Sequence, residues 1–286
     1  MVGIGVINQG FGNFLPLADP RYADKAVLAD NVGPEQIAAL RPDAVVLKSS
    51  ATVLGRALEP LGIPAVYIDF ETPESYPADL AVLGKLFGNS ARAEELAAYF
   101  ARKAGGVTSR TMSLAPGQKP RVLVVYSSDQ GGSRSFRVPP ADWMQTILVE
   151  MAGGVPVWKD ASGVRGWNRV GFEQIAAWDP DFILVVSYSE DTRETTARLK
   201  EDRSWRRLKA VRDNRLLAFA GDYYTWDQPD PRWVLGLRWL AGRLHPGLFP
   251  PFDAAGETVE FLNFLYRIPE AVVRSEILTR LQGDLP

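Results

Sequence analysis

The chain has 286 residues, 46% of them hydrophobic, which is enough for one large or two medium domains with cores of their own. A formal net charge of −2 supplies no global field that would recruit nucleic acid or an acidic membrane. With no cysteine and a single histidine, His245, the sequence excludes disulfides, thiolate metal sites, a cysteine nucleophile and any multi-histidine metal site within one chain.

No apolar run approaches the ~18 residues of a membrane span. Residues 2–7 read as a strand, with no basic stretch or small-residue cleavage site of the signal-peptide kind. Residues 8–13 are a loop by composition, and 20–30 carry no clear pattern. Then comes a segment that the chain uses twice. Gly33-Pro34-Glu35-Gln36-Ile37-Ala38-Ala39 returns as Gly171-Phe172-Glu173-Gln174-Ile175-Ala176-Ala177, and Pro42-Asp43 returns as Pro180-Asp181. The offset is a constant 138, and eight of fifteen positions are identical. Each copy predicts a short helix with a carboxylate in its first turn, where the positive end of the dipole favours it. Proline stops the helix. An aliphatic run without polar alternation follows, as in a strand buried on both faces. One such repeat is not a solenoid; it implies two lobes of similar build with a ligand site between them.

The first copy predicts a helix over 34–41 and a strand over 44–48. Lys48-Ser49-Ser50 leads into a helix ending at 58, and Leu61-Gly62-Ile63-Pro64 turns into a strand over 65–68. This alternation implies a mainly parallel sheet with helices on both faces. A helix spans 75–87. Asn89-Ser90 then caps a longer one, 91–111, apolar on one side and charged on the other, with Gly105-Gly106 weakening its middle. It ends before the breaker segment 115–120. We read it as a connector: residues 1–88 form the N-terminal lobe, 89–119 the connector helix and linker, and 120–286 the C-terminal lobe.

The second lobe restarts with a strand over 121–126. Residues 127–140 read as a Gly/Ser/Arg loop, and 140–142 cap a helix that runs to 151. Ala152-Gly153-Gly154 is a glycine C-cap. A polar loop, 159–169, leads to the second repeat copy, whose strand ends at Ser187-Tyr188. A charged helix (192–200), a short helix (205–211) and a strand (215–219) follow. Residues 221–231 are a polar, aromatic loop. Helices over 232–244, 257–265 and 269–282 complete the chain.

Taken in this order, several segments carry a family resemblance: Glu35 to Val45, Leu61 to Pro64, the helix from Asn89-Ser90, Ala152-Gly153-Gly154, Phe172-Glu173-Gln174-Ile175, Pro180-Asp181, and Trp205 to Val211 ahead of the next strand. The chain resembles the class III substrate-binding proteins of ABC importers that carry ferric siderophores, haem and cobalamin, and the match covers nearly all of it. The resemblance implies an α/β fold of two Rossmann-like lobes with mainly parallel sheets, joined by one long connector helix. It also implies a monomeric, non-catalytic protein outside the cytoplasm with no cofactor of its own. Such a protein captures a metal complex in an inter-lobe cleft and delivers it to a permease with its ATPase. Family members have a further strand and helix before the segment that Val2 to Val6 resembles, and a signal peptide or lipobox before that. The expectation is therefore an N-terminal lobe truncated at its start.

Two positions carry over as permease-docking residues, Glu35 and Glu173, one per lobe. On chemistry alone each is a first-turn glutamate worth ~0.3–1 kcal/mol through the dipole. In doubly wound sheets the ligand lies beyond the carboxyl ends of the strands. The loops there hold Lys48, Tyr126, Arg134, Arg137, Tyr188, Tyr223, Tyr224, Trp226 and Arg232, with Arg165 and Trp167 on a further loop. Aromatic walls with a few arginines suit a large, flat or partly anionic ligand, and Tyr188, Tyr223 and Tyr224 are the candidates for haem or ferric contact. Lys48-Ser49-Ser50, with Arg134, Arg137 and Arg232, keeps open a small oxyanion such as molybdate or tungstate. His245 reads as a cation at a helix end. The glycines at 10–12 and 131–132 form no phosphate-binding fingerprint. Two alternatives remain: a metal-handling enzyme on a chelatase-like fold, which the lack of cysteine and the lone histidine oppose, and an isolated fragment.

Overall fold

A computed structural model describes residues 1–6, 10–130, 133–163, 166–188 and 190–286, with backbone only at 129, 130 and 133. Of the expectations above, those for Ile7 to Gln9, Gly131-Gly132 and Arg165 lie outside the described residues. The chain divides into two compact units: of the described residues, the first holds 1–97 apart from Gly10 and Phe11, and the second holds 98–286 together with those two residues.

In the first unit the chain runs β1 (Gly3–Gly5), α1 (Leu15–Ala18), β2 (Ala26–Leu28), α2 (Pro34–Ala39), β3 (Val45–Lys48), α3 (Thr52–Leu58), β4 (Ala65–Ile68) and α4 (Tyr76–Leu86). Helix α5 (Ser90–Thr111) then carries the chain across the boundary without a break at Gly105-Gly106. All strand pairs here are parallel: β1 with β2 and β3 with β4, in two separate ladders. Ile37, Leu58 and Ile63 form the core, with Leu28, Val45 and Leu47 packed against them. The prediction of a first-copy strand buried on both faces is corrected. No residue of β3 is buried, and Val46 is 39% exposed. The reason is its place: among the described residues β3 pairs only with β4, so alternate side chains face outward.

The second unit continues with β5 (Arg121–Gln130), β6 (Ser133–Val138), α6 (Met144–Met151), β7 (Val155–Pro156), β8 (Asn168–Val170), α7 (Phe172–Trp178), β9 (Phe182–Val186), α8 (Thr192–Glu201), α9 (Lys209–Arg212), β10 (Leu216–Ala218), α10 (Trp233–Leu244), α11 (Ala254–Tyr266) and α12 (Glu270–Val272). The sheet order is β10-β9-β5-β6-β8, with β7 also on β5. Strands β5, β7, β9 and β10 are parallel, whereas β6 and β8 are antiparallel to their neighbours. Strand β9 lies between β5 and β10 and is buried at every residue, as the second repeat copy predicts.

Several local expectations change. Much of 127–140 is strand rather than loop: β5 runs on to Gln130 and β6 covers 133–138, where Ser135 to Val138 alternate polar and apolar side chains and the strand meets β5 in register. Part of the polar loop 159–169 is β8. Helix α6 starts one turn later than residue 140, with Trp143 at its N-cap and no side-chain cap. The 205–211 helix splits into a 3-10 turn (Trp205–Arg207) and α9, and the last helix is α12 followed by a π turn over Val273–Ile277. The glycine C-cap holds: Gly153 has φ +81, and the N–H of Gly154 reaches the carbonyl of Val149 at 2.9 Å. The polar loop 221–231 is mostly interior, with residues 221–228 all buried.

Candidate functional site

The parallel ladder of β5 with β9 ends at Tyr126 opposite Val186, so Tyr126 and Tyr188 lie side by side where the parallel pairing stops, although β5 itself runs on to Gln130. Their rings stack at 5.2 Å with 27° between planes. Trp167 leans on both, 5.2 Å from Tyr126 and 6.0 Å from Tyr188. Trp143 meets Trp167 edge-on at 5.8 Å. All four are partly exposed. Each such pair adds ~0.5–1.5 kcal/mol beyond its area, so the four rings form a pre-organised aromatic wall. Trp143 was missed in the sequence because it belongs to a helix cap rather than to a strand end.

A buried polar network stands behind the wall. Tyr188 donates its phenolic hydrogen to Asp227 Oδ2 at 2.7 Å. The Gln145 amide donates to the same oxygen at 3.2 Å and to Tyr188 Oη at 3.3 Å. Asp227 and Gln145 are both buried. Burial pushes the Asp227 carboxyl up, against the hydrogen bonds of Tyr188, Thr225 and Gln145, which pull it down. Burial first, then the charge of Asp227, drives the Tyr188 phenol well above its ordinary value. The phenol therefore stays protonated and acts as a fixed donor. Asp227 and Gln145 were also missed; each reads locally as an ordinary loop or helix residue.

The two arginines of β6 part company. Arg137 sits opposite Tyr126 in one ladder and opposite Arg169 in the next, so all three share the face of the sheet that carries Tyr126. Arg134, three residues earlier, lies on the other face. It donates to Ser127 Oγ at 2.9 Å and lies 3.7 Å from Glu190.

The residues of loop 221–232 turn inward. Arg232 is fully buried, with Nε 2.8 Å from Asp222 and Nη1 3.1 Å from Asp230. Its guanidinium lies 5.1 Å from the ring centroid of Tyr224. Burial disfavours its charge, yet the two aspartates outweigh that and raise its pKa. Trp226 is wholly buried and meets Phe252. Tyr223 and Tyr224 are nearly so; Arg280 covers the Tyr223 ring at 4.8 Å. The sequence placed Tyr223, Tyr224, Trp226 and Arg232 on the wall. Their place is the interior behind it, because the carboxylates of the same loop neutralise the arginine there.

Lys48 belongs to the first unit. Its ammonium pairs with Glu71 at 2.6 Å and also reaches the carbonyl of Asp69. The N–H of Ser49 goes to Asp69 Oδ1 at 2.9 Å, and hydrogen bonding from Ser49 holds that carboxyl low against its desolvation. The turn that suggested an oxyanion cradle is thus engaged by the chain's own carboxylates.

Glu35 and Glu173 repeat one geometry. Both are exposed in the first turn of their helices, and in each the Oε2 atom lies 3.3 Å from where a Cβ would stand on the N-cap glycine. Neither is in an ion pair among the described residues. His245 is not the expected cation. Burial lowers its pKa despite its bond to the Gly153 carbonyl, so the ring is neutral at pH 7. Among the described residues, no group of three or more His, Cys, Asp or Glu side chains could hold a metal ion, and no helix is long and apolar enough to cross a membrane.

A family model described as periplasmic binding protein matches residues 19–223, well over half of the chain. The chain belongs to the periplasmic binding protein family. Proteins of this family serve ABC transporters by binding substrate and are not enzymes. Among curated relatives, the molybdate-binding protein MolA of Haemophilus influenzae is 23% identical, over 89% of this chain and 76% of its own length. A periplasmic solute binding protein from Veillonella parvula superposes with a TM-score of 0.74 at 24% identity, covering 93% of this chain and 80% of that one. A periplasmic heme binding protein from Pseudomonas aeruginosa gives 0.60 at 20% identity, covering 82% and 83%. At these identities the solved structures establish the fold.

Proposed function

We propose that this periplasmic binding protein captures a metal complex of the ferric siderophore, haem or cobalamin type against the wall of Tyr126, Tyr188, Trp167 and Trp143. The observation that carries this reading is the wall itself: Tyr126, Tyr188 and Trp167 in mutual contact, Trp143 edge-on to Trp167, and Arg137 on the same face of the sheet as Tyr126. Stacking area with one cation beside it suits a large, flat, partly anionic ligand better than a small oxyanion. The second reading, molybdate or tungstate, draws on the likeness to MolA. It is weakened by the engagement of Lys48 with Glu71 and of Ser49 with Asp69. Tryptophan quenching separates the two. Haem, cobalamin or a ferric siderophore should quench saturably, and Trp167→Ala should remove most of the signal. Saturable binding of molybdate with no response to the complexes would reverse the choice.

In this reading α5 links the lobes, and Glu35 and Glu173 dock the loaded protein on basic residues of the permease at the outer face of the membrane. Two free carboxylates in matching geometry suit a two-fold partner. Glu35→Arg with Glu173→Arg should leave ligand quenching intact and abolish uptake. Normal uptake in that variant would remove the docking role.

A further inference from the structure

A groove of about 480 Å³ lies at the other end of the second unit's sheet from the aromatic wall. It is lined where the parallel strands begin: by Lys119 and Pro120 before β5, Asp181 before β9, and Asn214 and Arg215 before β10, with Arg243 from the end of α10. Three cations thus face one carboxylate, and that carboxylate is already engaged. Asp181 Oδ1 pairs with Lys209 at 2.5 Å, and Oδ2 accepts the N–H of Arg121 at 2.8 Å. Desolvation opposes its charge, but Lys209 and Arg121 hold its pKa down, so it stays ionised and satisfied.

The three cations are not matched in this way. Lys119 and Arg215 are in no ion pair among the described residues; Arg215 lies over the ring of Phe182, 4.9 Å from its centroid. Arg243 gives Nη2 to the carbonyl of Asp284, while its Nε–H is buried with no acceptor among the described residues. A buried donor without an acceptor is unfavourable, and more so beside a charge. The negative end of α10 is there too, but half a charge and one carboxylate already paired with Lys209 do not offset three cations.

The chain that enters the groove adds to this field. Residues 198–215 hold eight cations and three acidic residues, a net +5 in a protein whose total is −2. Lys200, Arg203, Arg206, Arg207 and Arg212 are exposed and in no ion pair among the described residues. The run carries no large exposed apolar side chain, since Trp205 and Leu208 are buried. Its attraction is therefore electrostatic rather than insertive.

We propose that this groove is a second, anionic-ligand site, taking a phosphate group that Lys119, Arg215 and Arg243 bind while the basic run beside it attracts the rest of the anion. Phosphate fits because it combines more than one negative charge with several acceptor oxygens, matching an ammonium and two guanidinium forks. The site is separate from the aromatic wall and does not depend on the identity of the metal complex.

The test uses the full chain, with inorganic pyrophosphate as one probe and phosphatidylglycerol vesicles as the other. Calorimetry should show saturable pyrophosphate binding, weakened at least tenfold in Lys119→Gln/Arg215→Gln, whose side chains are not in the core. Saturating pyrophosphate should leave tryptophan quenching by the wall ligand unchanged. Vesicle binding lost in the double variant, with pyrophosphate inert, would keep the site and assign the phosphate to a lipid headgroup. Binding of neither probe, binding unaffected by the double variant, or displacement of the wall ligand would each overturn the proposal.

Discussion

The hydroxyl of Tyr188 lies 2.7 Å from Asp227 Oδ2, joining a ring of the aromatic wall to a carboxyl that has no exposure at all. The contact fixes the ring that stacks on Tyr126, and it gives the buried carboxyl one of its few donors. Tyr188→Phe keeps the ring and removes the donor. Loss of a hydrogen bond to a charged group is worth about 1.5–3 kcal/mol, so the urea midpoint should fall by that amount while quenching at Trp167 persists. An unchanged midpoint would mean that Asp227 does not depend on this donor.

Asp227 also sets a pH dependence. Its folded-state pKa is raised, chiefly by burial, so the folded protein holds the proton more tightly than the unfolded chain does. Stability from this group is complete below the unfolded value, near pH 4, and is lost as pH rises through the folded value. Asp69 and Asp181 act in the opposite sense: both are held low in the fold, so their contribution is present above about pH 4 and is lost as pH falls through their folded values. Asp227→Asn should therefore become more stable relative to the parent as pH rises from about 4.5 to 8. Urea midpoints across that range check it; a difference that stays constant would show that Asp227 does not titrate there.

Arg232 and Asp222 form an ion pair with neither side chain exposed. Removing one partner from such a pair is unfavourable by about 3–5 kcal/mol, because the other is left charged in the interior. Asp222→Ala should be destabilised on that scale in urea. Arg134→Ala removes a partly exposed arginine, 3.7 Å from Glu190, and should shift the midpoint by less than about 1 kcal/mol. Equal effects would place Arg232 at the surface of the unit instead of inside it.

The difference between these two arginines marks the limit of what the sequence could tell. Periodicity and proline stops reveal helix, turn and strand at Glu35 to Leu47 and at Glu173 to Val185, and the apolar runs of the parallel strands, closing in Tyr126 and Tyr188, reveal those two rings. Those are local signals. Which face an arginine takes is decided by register: once residues 133–138 pair with β5, Arg134 and Arg137 part by the parity of their spacing. Burial of Arg232 depends on Asp222 and Asp230, and on a loop that reads as solvent-facing until its own carboxylates are seen to neutralise it. Gln145 and Asp227 meet across 82 positions, a separation that no short-range pattern encodes.

The repeat hides one more shared feature, and it gives the last prediction. Arg41 and Asp179 occupy the same place in the two copies, just before Pro42 and Pro180, and both adopt left-handed backbone, with φ of 48° and 41°. That conformation ends the helix and turns the chain into the following strand. It disfavours side chains by roughly 1–2 kcal/mol, least for aspartate, which can bond locally. Glycine removes that strain but gains freedom in the unfolded chain, which takes back about 0.4–1 kcal/mol. Arg41→Gly should therefore raise the midpoint by up to about 1 kcal/mol, and Asp179→Gly should have a smaller effect or none. Both are checked by urea unfolding at pH 7. Destabilisation of both by more than about 1 kcal/mol would show that these side chains hold the turns through contacts rather than strain them.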